Sequence, residues 1–396
     1  MTIAKKIIER METGSWVKRM FEEGIQLKAT IGPENVFDFT IGNPAEGPPE
    51  VFEKALRKLA KNPIPGMHGY MPNGGHSHVR KKIASHISAE CNMDIPFENL
   101  IMTAGAGGAL NVALHCLLDP ADEVIILSPY FLEYPIYIEN HGGKTVIAQT
   151  CPDYLLDIRA IEQAITSRTK VIILNSPNNP TGVVYPAGQL EELGNLIRAR
   201  KESSGQDIYL LCDEPYKKHL YDGITFTHVF PLFDNALIAT SHSKDLCLGG
   251  ERIGYLVASP RCSEINRLIG AMVYANRTLG FVSAPSMMQL LVADLQHVPV
   301  DTAAYEYRRD SLFNPLTEMG FEAPRPQGGF YLFPKSPIPD DVAFVSVARR
   351  HNILIAPGKG FGTPGFFRAV FSVDVGMIER SIPAWSALAK EFGLRG

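Results

Sequence analysis

Lys244 and Arg252 lie eight positions apart, in a segment between two apolar runs that predict buried strands. A lysine in a loop close to the interior loses hydration, so its pKa falls and its amine becomes a nucleophile. Arg252 keeps its charge and presents a planar fork that suits a phosphate. The hydroxyl groups of Ser241 and Ser243 add donors for the same anion. The alternative is a surface loop that carries a solvated lysine and arginine.

Two further segments follow predicted strands and have side chains suited to holding a ligand. Residues 104–108, Ala-Gly-Ala-Gly-Gly, form a turn between a strand and a helix, where backbone N–H groups and the helix dipole bind an anion. A tight turn without a ligand is the alternative. The spacing excludes the dinucleotide fingerprint, because Leu110 stands where its last glycine would be, and no Gly-Lys-Ser/Thr follows to make a P-loop. In residues 128–134 the aromatic side chains offer a plate for a planar ring, and taken alone this segment favours the alternative, core packing.

Amides and a carboxylate follow the next two predicted strands. Residues 175–182, Asn-Ser-Pro-Asn-Asn-Pro-Thr-Gly, predict a rigid turn that presents asparagine amides. Asp213 ends the apolar strand 208–212, at the edge of the sheet where open α/β sheets bind ligands. Its carboxylate can hold a cationic ring nitrogen, and Tyr216 can reach an adjacent oxygen. The alternative role for Asp213 is an N-cap of the next helix.

The order of predicted elements indicates how these residues are positioned. Short apolar strands alternate with helices from about residue 100 to about 260, which predicts a mostly parallel sheet covered on both faces. After residue 285 we expect a smaller α+β unit, which begins with a long helical region at 286–319. Residues 36–44 predict a short strand, and residues 1–30 predict one or two amphipathic helices.

Composition narrows the classes of function. The 396 residues have a formal net charge of −4 without runs of like charge, which gives no indication of nucleic acid or an anionic membrane as a partner. No apolar run approaches the length of a membrane span. The six cysteines form no CxxC pair, and several lie inside apolar runs, which is typical of small core residues in a reducing compartment, so we expect a cytoplasmic protein. His76 and His78 lack further ligands at suggestive spacing, and we expect no metal site.

In combination, these segments resemble the class I/II, fold type I, aminotransferases that depend on pyridoxal 5′-phosphate. The resemblance runs from about Phe39 to Phe371 and rests on S-P-N-N-P-T-G, D-E-P-Y and S-x-S-K with an arginine eight positions after the lysine. It implies an α/β fold with a large domain, residues 45–285, that contains a mostly parallel seven-stranded sheet between helices. A discontinuous smaller α+β domain would comprise residues 1–44 and 286–396.

The resemblance also implies residue roles. Lys244 would form the Schiff base with the cofactor, Asp213 would hold the pyridinium proton, and Tyr216 and Asn179 would contact the ring oxygen. Phe131 would stack on the ring. The phosphate would be held by a set of loop and helix-start residues: Gly105, Ala106, Gly107, Ser241, Ser243, Arg252 and, from the partner subunit of a homodimer, Tyr70. Arg368, with Gly42 and Asn179, would bind the α-carboxylate of the substrate.

The implied reaction moves an amino group from an L-amino acid to a 2-oxo acid. The same apparatus also serves carbon–sulfur lyases, synthases and decarboxylases, and a non-catalytic ligand-sensing domain is a third alternative. One aspartate-using subgroup has a lysine where this chain has Gly107, which argues against a simple aspartate assignment. Arg277 lies in the segment that approaches the partner's site, and we expect it to bind a distal carboxylate; the alternative is an exposed arginine at a helix end.

Overall fold

The computed structural model describes residues 3–13 and 16–395. The chain begins with helices α1 (Lys5–Thr13) and α2 (Trp16–Ile31), as the amphipathic spacing predicts, and continues into the short strand β1 (Phe37–Asp38). Helices α3 (Glu50–Lys61) and α4 (Ser77–Cys91) follow, separated by a loop that contains Tyr70. Within the described ranges, no helix is both long enough and apolar enough to cross a membrane.

A seven-stranded sheet forms the centre of the fold. Its strands are β2 (Leu100–Thr103), β3 (Glu123–Ser128), β4 (Lys144–Gln149), β5 (Thr169–Asn175), β6 (Tyr209–Asp213), β7 (Ala236–Ser241) and β8 (Gly254–Ala258). They lie in the order β2-β8-β7-β6-β5-β3-β4. Strand β8 runs antiparallel to both of its neighbours, β2 and β7, and the other pairs are parallel. The predicted fold class, a mostly parallel seven-stranded sheet, is confirmed.

Both faces of this sheet are buried, because successive side chains of a strand point to opposite sides. In β5, Ile172 and Leu174 belong to one apolar core, whereas Val171 and Ile173 belong to another. The helices of this region are α5 (Gly105–Leu117), α6 (Tyr134–Asn140), α7 (Ile158–Ala164), α8 (Ala187–Ser204), α9 (Ile265–Thr278) and α10 (Ser286–Val292). Helices therefore cover both faces of the sheet, and the loops at one of its edges are available to form a site.

The C-terminal region has its own core and smaller sheets. Its elements are α11 (Thr302–Glu318), β9 (Tyr331–Leu332), α12 (Asp341–Arg350), β10 (Ile353–Leu354), β11 (Ala356–Pro357), β12 (Phe367–Val370) and α13 (Val375–Glu391). Strands β11, β12 and β9 form an antiparallel sheet, and β1 pairs in parallel with β10. Buried Trp385 belongs to the core of this region. The exact domain boundaries at residues 44/45 and 285/286 stay a prediction.

Three elements differ from the sequence-based expectation. The helical region 286–319 is divided into α10 and α11, with Pro299 in the break and the Asp301 carboxylate capping α11 through the amide of Ala304. The strand expected over residues 36–44 is limited to β1, because its partner β10 offers only two residues for pairing. Helix α5 begins at Gly105, so most of the glycine-rich segment is helical rather than a turn.

Candidate active site

A cavity of about 460 Å³ lies at the carboxyl ends of β5, β6 and β7, next to the first turn of α5. Such a position is the usual ligand site of open α/β sheets, and its size suits a small organic ligand. Twelve of the residues selected from the sequence line it: Gly42, Ala106, Gly107, Phe131, Asn179, Asp213, Tyr216, Ser241, Ser243, Lys244, Arg252 and Arg368. The fold thus brings together side chains that are more than 300 positions apart.

Lys244 occupies the loop between β7 and β8, as its flanking apolar runs predict. Its Nζ donates to the carbonyl of Gly42 and lies 5.8 Å from the ring centroid of Tyr216. Burial, together with the positive charges of Arg368 and Arg252, lowers the pKa of Lys244 to about 8. At pH 7 a pKa of about 8 leaves about a tenth of this amine unprotonated, far more than for an ordinary lysine, and a nucleophile or a general base requires that form.

Asp213 ends β6, in register with Asn175 on β5 and Ala239 on β7. Its Oδ2 accepts a hydrogen bond of 2.7 Å from the Tyr134 hydroxyl, whereas its buried Oδ1 has no hydrogen-bond partner. Burial raises the pKa of Asp213 to about 6, although the Tyr134 bond and the Lys244 charge both lower it. A buried carboxylate with an unused oxygen favours a ligand that brings its own N–H donor.

Arg368, on β12, forms the opposite end of the cavity. It is buried, its Nη1 donates to Asn179 Oδ1 at 3.0 Å, and its Nη2 donates to the Thr40 carbonyl at 2.7 Å. Its Nε has no hydrogen-bond partner. A fixed guanidinium with donor capacity left over suits the bidentate recognition of a carboxylate.

The third region of the cavity is suited to an anion. Ala106 and Gly107 lie in the first turn of α5, and Ser241, Ser243 and Arg252 face the same space. Gly105 itself does not line the cavity, but it has a φ of +71°, and a Cβ at this position would lie 2.9 Å from Arg252 Nη2. The backbone conformation therefore favours glycine here, and the arginine side chain approaches it closely.

Two of the selected residues lie outside the cavity. Tyr70 is 98% exposed, and Arg277 is exposed near the end of α9, with its guanidinium 5.6 Å from the ring centroid of Tyr274. Both were expected to act in the site of a partner subunit, which leaves their roles as predictions. His76 Nε2 lies 2.9 Å from Ser286 Oγ, and the described residues contain no group of three or more His, Cys, Asp or Glu side chains arranged for a metal.

Sequence reasoning missed three tyrosines that build the site. Tyr134 holds Asp213, Tyr331 lies with its hydroxyl 2.5 Å from that of Tyr216, and Tyr137 donates to Glu133 at 2.6 Å. Tyr134 was part of the aromatic segment 128–134, so its hydroxyl offered a signal. Tyr331 lies within an apolar strand, where a buried phenol requires a hydrogen-bond partner.

These residues fit pyridoxal 5′-phosphate. The first turn of α5 with Arg252 and the two serines matches the phosphate, and the unpartnered oxygen of Asp213 matches a protonated ring nitrogen. The amine of Lys244, with its lowered pKa, matches the aldehyde. Phe131 lines the same cavity and can cover the ring.

Known proteins support this interpretation. The family described as aminotransferase class I and II matches residues 34–384. An aminotransferase structure from Eubacterium rectale superposes with a TM-score of 0.95 at 34% identity and 99% coverage of both chains. The aspartate/prephenate aminotransferase of Thermus thermophilus is 32% identical over 89% of this chain and 88% of the relative. A structure of Thermus thermophilus aspartate aminotransferase with maleate has a TM-score of 0.86 at 28% identity, covering 98% of this chain and all of the other.

Proposed function

The chain belongs to the class I and II aminotransferases, and we propose that the residues around Lys244 are the active site of this pyridoxal-phosphate-dependent transaminase. The enzyme moves an amino group from an amino acid to a 2-oxo acid. One observation carries the assignment of residues. The buried amine of Lys244, the unpartnered carboxylate oxygen of Asp213 and the buried guanidinium of Arg368 converge on one cavity.

When bound, pyridoxal 5′-phosphate supplies an aldehyde that joins amines and a ring that withdraws electrons from the substrate's α-carbon. Asp213 would hold a proton on the ring nitrogen, because its unused Oδ1 would accept that N–H and become satisfied. Tyr134 keeps the other oxygen of Asp213 in place. The Tyr216 hydroxyl and the Asn179 amide would bind the ring oxygen, and Phe131 would cover the ring face.

Lys244 has two roles in this proposal. Its Nζ would bond to the cofactor aldehyde and hold the cofactor in the cavity. When it is not so bonded, the same Nζ would take the proton from the substrate's α-carbon as a general base and return it as a general acid. Burial supports both roles, since a pKa of about 8 lies close to the working pH and permits transfer in either direction.

Arg368 binds and orients the substrate. Its guanidinium meets the α-carboxylate, while Asn179 and the backbone at Gly42 enclose the same group. Because Asn179 Oδ1 and the Thr40 carbonyl fix the guanidinium, the carboxylate is held at a defined angle to the cofactor. That angle decides which bond of the α-carbon is aligned for cleavage.

We further propose that the enzyme is a homodimer with shared sites. Tyr70 of one subunit would donate to the phosphate in the cavity of the other, and Arg277 would meet a second carboxylate on the substrate there. Both side chains are exposed and lie outside the cavity of their own subunit, which supports a role in the cavity of the partner. The relative from Thermus thermophilus is named for aspartate, a dicarboxylic substrate.

We place the enzyme in the cytoplasm. All six cysteines are free, and Cys91, Cys212 and Cys262 are buried. Free thiols are typical of proteins kept in a reducing compartment.

The test of the site is spectroscopic. Purified protein loaded with pyridoxal 5′-phosphate should show a pH-dependent visible absorption band and retain the cofactor covalently after borohydride reduction. Lys244→Ala should abolish the covalent attachment, whereas Lys335→Ala, at an exposed lysine, should leave it intact. Single-turnover mixing with aspartate, glutamate, alanine and phenylalanine should bleach the band and release one 2-oxo acid per cofactor. If no amino acid of a full panel bleached the band, the proposed transamination would be refuted; if Lys244→Ala still held the cofactor covalently, the proposed site would be wrong.

A further inference from the structure

Tyr331 connects the two ends of the cavity. It lies on β9, is 2% exposed and lines the cavity. The guanidinium carbon of Arg368 lies 4.8 Å from the centroid of the Tyr331 ring and 4.7 Å from that of Phe361. Two aromatic rings therefore hold the plane of the arginine that we assign to the substrate carboxylate.

The hydroxyl of Tyr331 reaches the cofactor side of the same cavity. Its oxygen lies 2.5 Å from the hydroxyl oxygen of Tyr216. It also lies against Gly42, where any Cβ would overlap it, and the carbonyl of Gly42 accepts from Lys244 Nζ. Tyr331 thus contacts Tyr216 and Arg368 directly, and it contacts Gly42, whose carbonyl accepts from the reactive amine.

The direction of the tyrosine–tyrosine hydrogen bond follows from counting protons. Burial raises the pKa of both Tyr216 and Tyr331, so each hydroxyl keeps its single proton near neutral pH. If Tyr216 donated to Tyr331, it would have no proton for the cofactor oxygen. If Tyr331 donates to Tyr216, the proton of Tyr216 is free for the cofactor. The Tyr216 hydroxyl is then a stronger hydrogen-bond donor, because it also accepts a hydrogen bond.

We propose that Tyr331 is a positioning residue that donates its hydroxyl proton to Tyr216, which turns the Tyr216 proton toward the cofactor ring oxygen, and that its ring fixes the plane of Arg368. The inference rests on the proposed function, because it requires the cofactor contact of Tyr216. It adds Tyr331, whose side chain contacts both Tyr216 and Arg368.

The hydroxyl is tested by Tyr331→Phe, read by a pH titration of the visible absorption of the cofactor-loaded protein. The hydrogen bond from Tyr216 favours the anionic form of the ring oxygen, so weakening it should raise the pH midpoint by about half to one pH unit. Tyr154→Phe is the matched control, because Tyr154 is also buried and donates to a backbone carbonyl, that of Phe333 at 3.3 Å, outside the cavity. Its midpoint should equal that of the wild type.

A double-mutant cycle separates orientation of Tyr216 from a general effect on the fold. In the Tyr216→Phe background, Tyr331→Phe should add no further change in the midpoint, because the bond that it orients is already gone. The ring is tested by Tyr331→Leu, which should raise KM for the amino donor about threefold to tenfold more than Tyr331→Phe does, since it removes a ring face from Arg368.

Two outcomes would overturn the inference. If Tyr216→Phe raises the midpoint and Tyr331→Phe does not, the orienting role of Tyr331 is wrong while the proposed function stands. If neither substitution changes the midpoint, the cofactor contact of Tyr216 is wrong as well, and both statements fall.

Discussion

Glu214 directly follows Asp213 and should make the protein less stable as pH rises. It is 3% exposed, and its Oε1 has no hydrogen-bond partner. Burial raises the pKa of Glu214 from 4.5 to about 8, and the nearby carboxylates of Glu90 and Asp213 act in the same direction, against the charge of Lys217. The folded protein therefore resists the ionisation of this side chain, whereas the unfolded chain does not.

The expected change in the free energy of unfolding follows from the linkage between protonation and folding. Because the pKa is higher in the folded state, the contribution of Glu214 is fully present below pH 4.5 and is lost as pH rises to about 8. Each pH unit in this interval costs about 1.4 kcal/mol of the free energy of unfolding, so the whole interval corresponds to roughly 5 kcal/mol. Relaxation around a buried charge reduces this cost, and we expect a measured loss of about 2–5 kcal/mol.

The perturbation is Glu214→Gln, which keeps the shape and removes the ionisation. Denaturant unfolding of the cofactor-loaded variant and wild type should be compared from about pH 5 to about pH 9. The stability of the variant relative to wild type should grow with pH and level off above the folded pKa. Glu50→Gln removes an exposed carboxylate whose pKa lies below 4.5, so its difference from wild type should be flat over this range. A difference for Glu214→Gln that is independent of pH, or that favours wild type at high pH, would refute the reasoning.

Three further substitutions probe the binding of cofactor and substrate. Arg368→Lys should lower kcat/KM for amino acids by about 10- to 100-fold through loss of a charge-assisted bond, with no comparable loss for an amine that lacks a carboxylate. Tyr134→Phe should raise the pKa of Asp213 further and weaken cofactor affinity, measured by equilibrium dialysis, by about threefold to tenfold near pH 6 and by less near pH 8. Arg277→Ala should lower turnover of dicarboxylic relative to neutral amino acids in steady-state assays; an unchanged ratio would contradict its assigned role.

Site residues at strand ends could be predicted from the sequence, because the apolar runs that mark the strands lie directly beside them. The apolar runs around Lys244 indicated a loop between buried strands, and the strand before Asp213 indicated a carboxylate at its carboxyl end. Parallel strands bring such ends to one edge of a sheet, so the topology predicts that these side chains meet. The structure places both in one cavity, with a lowered pKa for the amine and a raised pKa for the carboxylate.

Contacts that depend on packing between distant segments could not be predicted. Nothing local to Tyr331 indicates that its hydroxyl lies beside Tyr216, 115 positions earlier. This contact depends on packing between distant segments, which composition and periodicity do not encode.

The break between α10 and α11 was missed although its signals are local. Pro299 interrupts the helical pattern, and the Asp301 carboxylate caps the start of α11.

The charges in the cavity suggest how three nearby cations are tolerated. Lys244, Arg252 and Arg368 line the same space, and both arginines lower the pKa of Lys244. The carboxylates of Asp213 and Glu133 line it as well. A phosphate beside Arg252 and a carboxylate beside Arg368 offset those positive charges. Each anion that binds therefore raises the proton affinity of the Lys244 amine. The arginines keep the amine reactive before the ligands arrive, and their neutralisation makes it a stronger base once the substrate is in place.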